Sequence, residues 1–84
     1  MANNTIWKKT IYDNEGEIVA IFWNNEGLDI EPHYREKDGE EILSFVDVQI
    51  NNRYVGTIDS CYGGRIEEKP YHFNEENELV EGRK

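Results

Sequence analysis

Turn-forming residues recur roughly every dozen positions along this chain, and this spacing limits what it can fold into. They are Asn14-Glu15-Gly16, Asn25-Glu26-Gly27, Lys37-Asp38-Gly39, Asn51-Asn52 and Gly63-Gly64. The first three place glycine after two polar residues, as hairpin loops of three to five residues with a bulge commonly do. Asparagine also tolerates a positive φ, so Asn51-Asn52 can reverse the chain in a similar way. The pattern predicts short strands joined by hairpins.

The segments between these turns are rich in β-branched and aromatic residues and contain no extended apolar stripe of helical spacing. We therefore expect an all-β fold, an antiparallel meander of five to six strands. The predicted strands are Thr5–Tyr12, Glu17–Trp23, Leu28–Tyr34, Glu41–Ile50, Tyr54–Cys61 and Arg65–Phe73. With 84 residues, the chain has room for one small domain, which we place at residues 1–73.

Two strands constrain the arrangement of this sheet. The run Ile18–Trp23 is apolar on both faces, which predicts a place in the middle of the structure or at an interface. Pro32 cannot donate a ladder hydrogen bond, so its strand belongs at an edge or ends there. Because a flat sheet would expose apolar surface, we expect a curled sheet, a small barrel or two short sheets.

The last residues, 74–84, are mostly polar and include four glutamates. Only Leu79 and Val80 could anchor them to a core. We expect a flexible or short helical acidic tail, with any helical turn beginning at Asn74 and ending at Gly82.

The single cysteine, Cys61, cannot form a disulfide within the chain, which favours a reducing compartment. We expect a buried and unreactive thiol there. The N-terminal residues lack the apolar core of a signal peptide, and the longest apolar run is far shorter than a membrane-spanning helix. The sequence therefore predicts a cytoplasmic protein that does not bind membranes.

Charge is the most informative functional feature of the sequence. With 18 acidic and 9 basic residues, the formal net charge is −9, which argues against direct binding to nucleic acid. Between residues 13 and 31 there are six carboxylates and no Lys or Arg, at Asp13, Glu15, Glu17, Glu26, Asp29 and Glu31. We expect these residues to form an acidic side that attracts a basic protein surface, such as that of a nucleic-acid-binding enzyme. Trp7, Tyr34 and Tyr71 are the expected aromatic anchors.

In size, acidity and lack of catalytic motifs, the chain resembles small phage-encoded inhibitors and DNA mimics that block restriction, CRISPR or transcription machinery. This resemblance implies a non-enzymatic protein that binds a basic macromolecular partner as a decoy. A second interpretation is a structural or interaction module without a decoy role, whose negative charge only keeps it soluble.

A third interpretation is a domain that binds or sequesters a small anion such as a nucleotide. Arg53, Tyr54, Tyr62 and Arg65 bring cationic and aromatic side chains close together in sequence. Two arginines are few for a phosphate pocket, but a homodimer could double them across a twofold axis.

The residue types used in catalysis and metal binding do not form recognisable motifs. His33, His72 and Cys61 lack the short paired spacing of structural zinc sites. Adjacent carboxylates such as Glu40-Glu41 point to opposite faces of a strand, so they cannot converge on one substrate atom. We therefore expect no catalytic residues, no metal site and no cofactor.

Overall fold

The structure is a computed structural model that describes residues 5–24 and 27–83. These residues form seven strands: β1 (Ile6–Tyr12), β2 (Ile18–Asn24), β3 (Leu28–Lys37), β4 (Glu40–Ile50), β5 (Arg53–Ile58), β6 (Arg65–Phe73) and β7 (Leu79–Glu81). The described residues contain no helix long and apolar enough to span a membrane. The predicted all-β, antiparallel class is confirmed.

The strands form two antiparallel sheets, one with the order β2-β1-β6-β7 and one with the order β3-β4-β5. They do not close into a barrel. The strand order departs from a simple meander because the chain changes sheet after β2 and returns after β5, where β6 pairs with β1. Each of the two sheets can bury one face against the other, so that apolar side chains that a flat sheet would expose are covered.

The core between the sheets is small. Among the described residues, the buried apolar side chains are Ile11, Ile30, Leu43, Val46 and Cys61. Partly buried side chains surround them, at Val19, Ala20, Phe22, Val48, Ile58 and Ile66. Strands of both sheets therefore meet at one cluster, as expected of a domain of this size.

The edge positions confirm one expectation and correct another. Pro32 lies in β3, an edge strand of the three-stranded sheet, as predicted. β2 is also an edge strand, so of the two places that its apolar sequence predicted, the middle of the structure is wrong, whereas a place at an interface stays a prediction. Its inward side chains pack on the core, but Ile18 and Ile21 on the other face are 57% and 45% exposed. The second apolar face of β2 is thus left open.

Two hairpins of the four-stranded sheet use the same turn. Asp13 Oδ1 accepts hydrogen bonds from the Glu15 and Glu17 amides, both at 2.9 Å. Asn74 Oδ1 accepts equivalent bonds from the Glu76 and Glu78 amides, also at 2.9 Å. The second turn leads into β7, where a flexible tail or a helical turn was expected. Asn77 has a φ of 63°, which reverses the chain instead of continuing a helix.

Both turns of the three-stranded sheet have two residues. The turn at Asp38-Gly39 is therefore shorter than the predicted loop of three to five residues. Asp38 and Gly39 have φ values of 53° and 81°, and they form a two-residue turn between Lys37 and Glu40. Asn51 and Asn52, at 52° and 66°, do the same between Ile50 and Arg53. Two consecutive positive φ values are typical of type I′ turns, whose twist matches that of the flanking strands.

The Gly63-Gly64 pair was predicted to form a hairpin turn, but it lies in the segment that connects the two sheets, because β5 and β6 belong to different sheets. The Gly63 amide, in a residue with a φ of 75°, donates to the Leu43 carbonyl at 2.8 Å. Gly64 lies so close to β1 that a Cβ atom there would overlap the Tyr12 carbonyl. Glycine is therefore needed at position 64 for space.

We predict that Gly64→Ala destabilises the protein by about 1–3 kcal/mol, because the Tyr12 backbone cannot yield without moving β1. Gly56→Ala is the matched control, since a Cβ atom at Gly56 meets nothing within 4 Å. Urea unfolding of both variants measures the difference. Equal stability of the two variants would contradict this account of the junction.

Candidate functional site

The hairpin of β3 and β4 projects away from the core. Its end, residues 34–41, is paired in register from Arg35 opposite Ile42 to Lys37 opposite Glu40. Every residue from 34 to 41 is nevertheless exposed. We call residues 34–41 the β3–β4 arm. The radius of gyration is 14.6 Å, against about 12 Å for a compact domain of this length, and the longest dimension is 48 Å.

The β3–β4 arm is acidic and ordered without burial. It contains four carboxylates and two cationic side chains, at Glu36, Asp38, Glu40, Glu41, Arg35 and Lys37. Glu36 and Glu41 lie directly opposite each other across the hairpin, an arrangement of like charges that destabilises a sheet. Among the described residues, no ion pair engages an arm carboxylate. These carboxylates are therefore free to meet a partner.

An open pocket lies at the base of the β3–β4 arm. Its volume is about 380 Å³, and its lining residues are Arg35, Ser44, Phe45, Thr57, Asp59 and Tyr62. Tyr34, the first residue of the arm, is 52% exposed. The arm thus begins beside aromatic surface, which an interface can use as an anchor.

Next to this pocket, three polar side chains of β3 and β4 converge. His33 Nε2 lies 3.0 Å from Asp47 Oδ2 and 3.1 Å from Glu31 Oε1. Glu31 and Asp47 are directly opposite each other in the register, so the imidazole lies between two carboxylates. We call Glu31, His33 and Asp47 the His33 cluster.

Neighbouring side chains fix the His33 cluster in place. The His33 ring stacks on Phe45 with a centroid distance of 4.4 Å and an interplanar angle of 13°. Thr57 Oγ1 donates to Asp47 Oδ1 at 2.8 Å, and its own partner is the Tyr54 hydroxyl at 2.6 Å. Two of the three members are thus oriented by contacts from β4 and β5.

The residues predicted to form one acidic side have separate roles in the structure. Asp13 holds the β1–β2 turn, with Glu15 and Glu17 exposed beside it. Asp29 forms an ion pair with Lys9 Nζ at 2.7 Å, and Glu31 contacts His33. Glu26 lies outside the described residues. The larger group of free carboxylates is on the β3–β4 arm instead.

The Asp29 carboxylate bridges the two sheets electrostatically. Burial alone would raise the pKa of Asp29, but hydrogen bonds from Lys9 and the Ile30 amide, together with the charge of Lys9, outweigh it and lower the pKa. The Lys9 side chain is only 13% exposed, whereas that of Asp29 is 55% exposed. Asp29 is therefore a structural partner of β1.

The three predicted aromatic anchors differ in the contacts that their rings make within the protein. Tyr71 packs edge-on against Trp23 with a centroid distance of 5.1 Å. The Arg83 guanidinium lies 5.0 Å from the Trp7 ring centroid. Tyr34, by contrast, is exposed at the base of the β3–β4 arm. It is the best placed of the three to contact a partner.

The residues of the predicted anion pocket are separated along the fold. Arg53 and Tyr54 begin β5, whereas Tyr62 follows the opposite end of that strand. Arg65 belongs to the other sheet, where its guanidinium carbon lies 3.9 Å from the Tyr12 ring centroid. The structure thus gives these two arginines different surroundings.

The expected burial of Cys61 is confirmed, since the residue has no exposed surface. Burial raises the pKa of the thiol, and the nearby Asp59 charge acts in the same direction. Because the thiolate is the reactive form, this environment favours an inert, structural cysteine.

Neither the β3–β4 arm nor the His33 cluster was predicted from the sequence. Residues 32–41 have a net charge of only −2, so averaging charge along the chain hid the arm. The spacing Glu31-x-His33 places two side chains on one strand face, but only the pairing of β3 with β4 adds Asp47. This pairing brings three potential metal ligands within 4.8 Å of one another.

Comparison with known proteins adds no assignment: no family model matches the chain, and no curated protein or solved structure matches it significantly. The β3–β4 arm and the His33 cluster are therefore the candidate functional sites among the described residues.

We predict that Asp29→Asn lowers stability at neutral pH and that this difference disappears in acid. Because the pKa of Asp29 is lower in the folded state than in the unfolded state, the ionised carboxylate stabilises the fold at pH values above the unfolded-state pKa of about 4. This stabilisation is lost as the pH falls through the folded-state pKa. Because Asp29 is half exposed, we expect at most about 1 kcal/mol. Urea midpoints at pH 7 and pH 3 measure the effect, with Glu15→Gln as the control. This role would be contradicted if the urea midpoint of Asp29→Asn differed from that of the natural chain by the same amount at both pH values.

Proposed function

We propose that this chain is a non-enzymatic cytoplasmic protein that docks its acidic β3–β4 arm against a basic surface of a partner protein. The partner would be a nucleic-acid-binding protein, whose basic surface is arranged to neutralise phosphates. Occupying that surface would make the chain a decoy inhibitor.

The observation that carries this proposal is the β3–β4 arm itself, which is ordered but buries none of its residues. Ordering a backbone residue costs about 1–2 kcal/mol, and a hydrogen bond returns only about 0.5–1.5 kcal/mol. An isolated two-stranded hairpin is accordingly marginal in water. A stability role does not explain the arm, whereas a binding role does.

The charge of the surrounding sheet supports a basic partner. Residues 28–62, which include β3, β4 and β5, contain eight acidic and three basic side chains, a net charge of −5. Such a surface accelerates encounter with a basic protein and loses attraction as salt screens it. Tyr34 would then provide buried contact area at the base of the arm.

Charge reversal on the β3–β4 arm tests the proposal. The double variant Glu36→Lys/Glu41→Lys keeps a like-charge pair in the hairpin, so its effect on stability stays small. The control Glu75→Lys/Glu76→Lys makes the same change, from −9 to −5, at exposed positions of the other sheet's turn. Each immobilised chain is incubated with lysate of the encoding organism, and captured proteins are identified by mass spectrometry with and without added DNA or salt.

We expect the natural chain and the control to retain a basic nucleic-acid-binding protein that DNA and salt both release, and the arm variant to lose it. Equal loss by both variants would show that only total charge matters. Equal retention by both variants would exclude the arm as the binding site. Either of these results would overturn the proposal.

A further inference from the structure

The His33 cluster offers a mixed set of metal ligands on the outer face of the three-stranded sheet. Its three ligand atoms, the Glu31 and Asp47 carboxylate oxygens and His33 Nε2, all lie within 4.8 Å of one another. Imidazole nitrogen combined with carboxylate oxygen is a donor set that suits zinc better than magnesium or calcium. We propose that Glu31, His33 and Asp47 bind a zinc ion through these three atoms, with water completing the coordination.

The charge arrangement supports a cation at this position. The register places Glu31 directly opposite Asp47, a pairing of like charges that is unfavourable in a sheet unless something lies between them. In the structure the edge of the His33 ring fills that place. A divalent ion would neutralise both carboxylates and would use the imidazole as a third ligand.

Two of the three distances between ligand atoms are already close to those of a zinc site. Tetrahedral zinc with bonds of about 2.0–2.2 Å separates its ligand atoms by about 3.4 Å. The two nitrogen-to-oxygen distances, 3.0 and 3.1 Å, therefore have to open by only a few tenths of an ångström. The Glu31 side chain is 57% exposed and can adjust its oxygen freely.

The surroundings orient two of the three ligands, as the outer shell of a metal site does. Stacking on Phe45 holds the imidazole plane, and the Thr57 hydroxyl donates to Asp47 Oδ1, whereas Asp47 Oδ2 contacts His33. The other histidine, His72, has no such setting: its Nδ1 bonds to the Gly82 carbonyl at 2.7 Å in the four-stranded sheet. His72 is therefore a natural control.

Calorimetric titration of the untagged, metal-free chain with zinc chloride tests the proposal. We expect saturable binding of one zinc ion per chain and a raised melting temperature. His33→Gln should abolish the binding, and Thr57→Val should weaken it by at least about 10-fold through the loss of ligand orientation. His72→Gln should bind zinc as the natural chain does.

A second variant keeps the test valid if His33→Gln unfolds the protein. Glu31→Gln removes a ligand from an exposed side chain, so it should weaken zinc binding while the circular dichroism spectrum stays unchanged. Absence of saturable binding up to ~1 mM zinc would overturn the proposal. Zinc binding that survives in folded Glu31→Gln and His33→Gln, or that is lost equally in His72→Gln, would overturn it as well.

Discussion

A small apolar cluster holds the two sheets together, and the rest of the described structure is arranged around that constraint. Ile11 comes from the four-stranded sheet, Ile30, Leu43 and Val46 come from the three-stranded sheet, and Cys61 comes from the segment between β5 and β6. Gly64 lets this segment pass close to β1, and the Lys9–Asp29 ion pair also links the two sheets. With so few buried side chains, most of the sequence is left to the surface.

The small core explains why the carboxylates with structural partners and the candidate binding residues lie in different parts of the fold. The carboxylates near the core have structural partners: Asp13 caps a turn and Asp29 pairs with Lys9. Farther out, the β3–β4 arm carries carboxylates that neither pack nor pair among the described residues. The His33 cluster lies between these regions, with two of its members oriented by Phe45 and Thr57. Both proposed binding sites therefore lie on the surface of the three-stranded sheet.

Much of the fold could be predicted from the sequence because its turns are encoded locally. Glycine or asparagine at a positive φ marks the described hairpins, and Pro32 marks an edge strand. β7 was not predicted from the sequence. Residues 73–77 repeat the turn pattern of residues 12–16, but asparagine stands at position 77 where the first turn has a glycine. The pairing of β6 with β1, the convergence on His33 and the exposure of the arm depend on tertiary contacts, which no local pattern specifies.

As proposed, the β3–β4 arm serves binding and adds little to the stability of the fold. Deleting residues 36, 37, 40 and 41 joins Arg35 to Asp38 and Gly39 to Ile42, which removes two residues from each strand and preserves the alternation of faces. Urea unfolding of this shortened chain is the most direct measurement. We expect cooperative unfolding with a free energy within about 1 kcal/mol of the natural chain, because the deleted residues bury nothing. A loss of more than about 2 kcal/mol would show that the arm is part of the stabilising structure and would contradict the account.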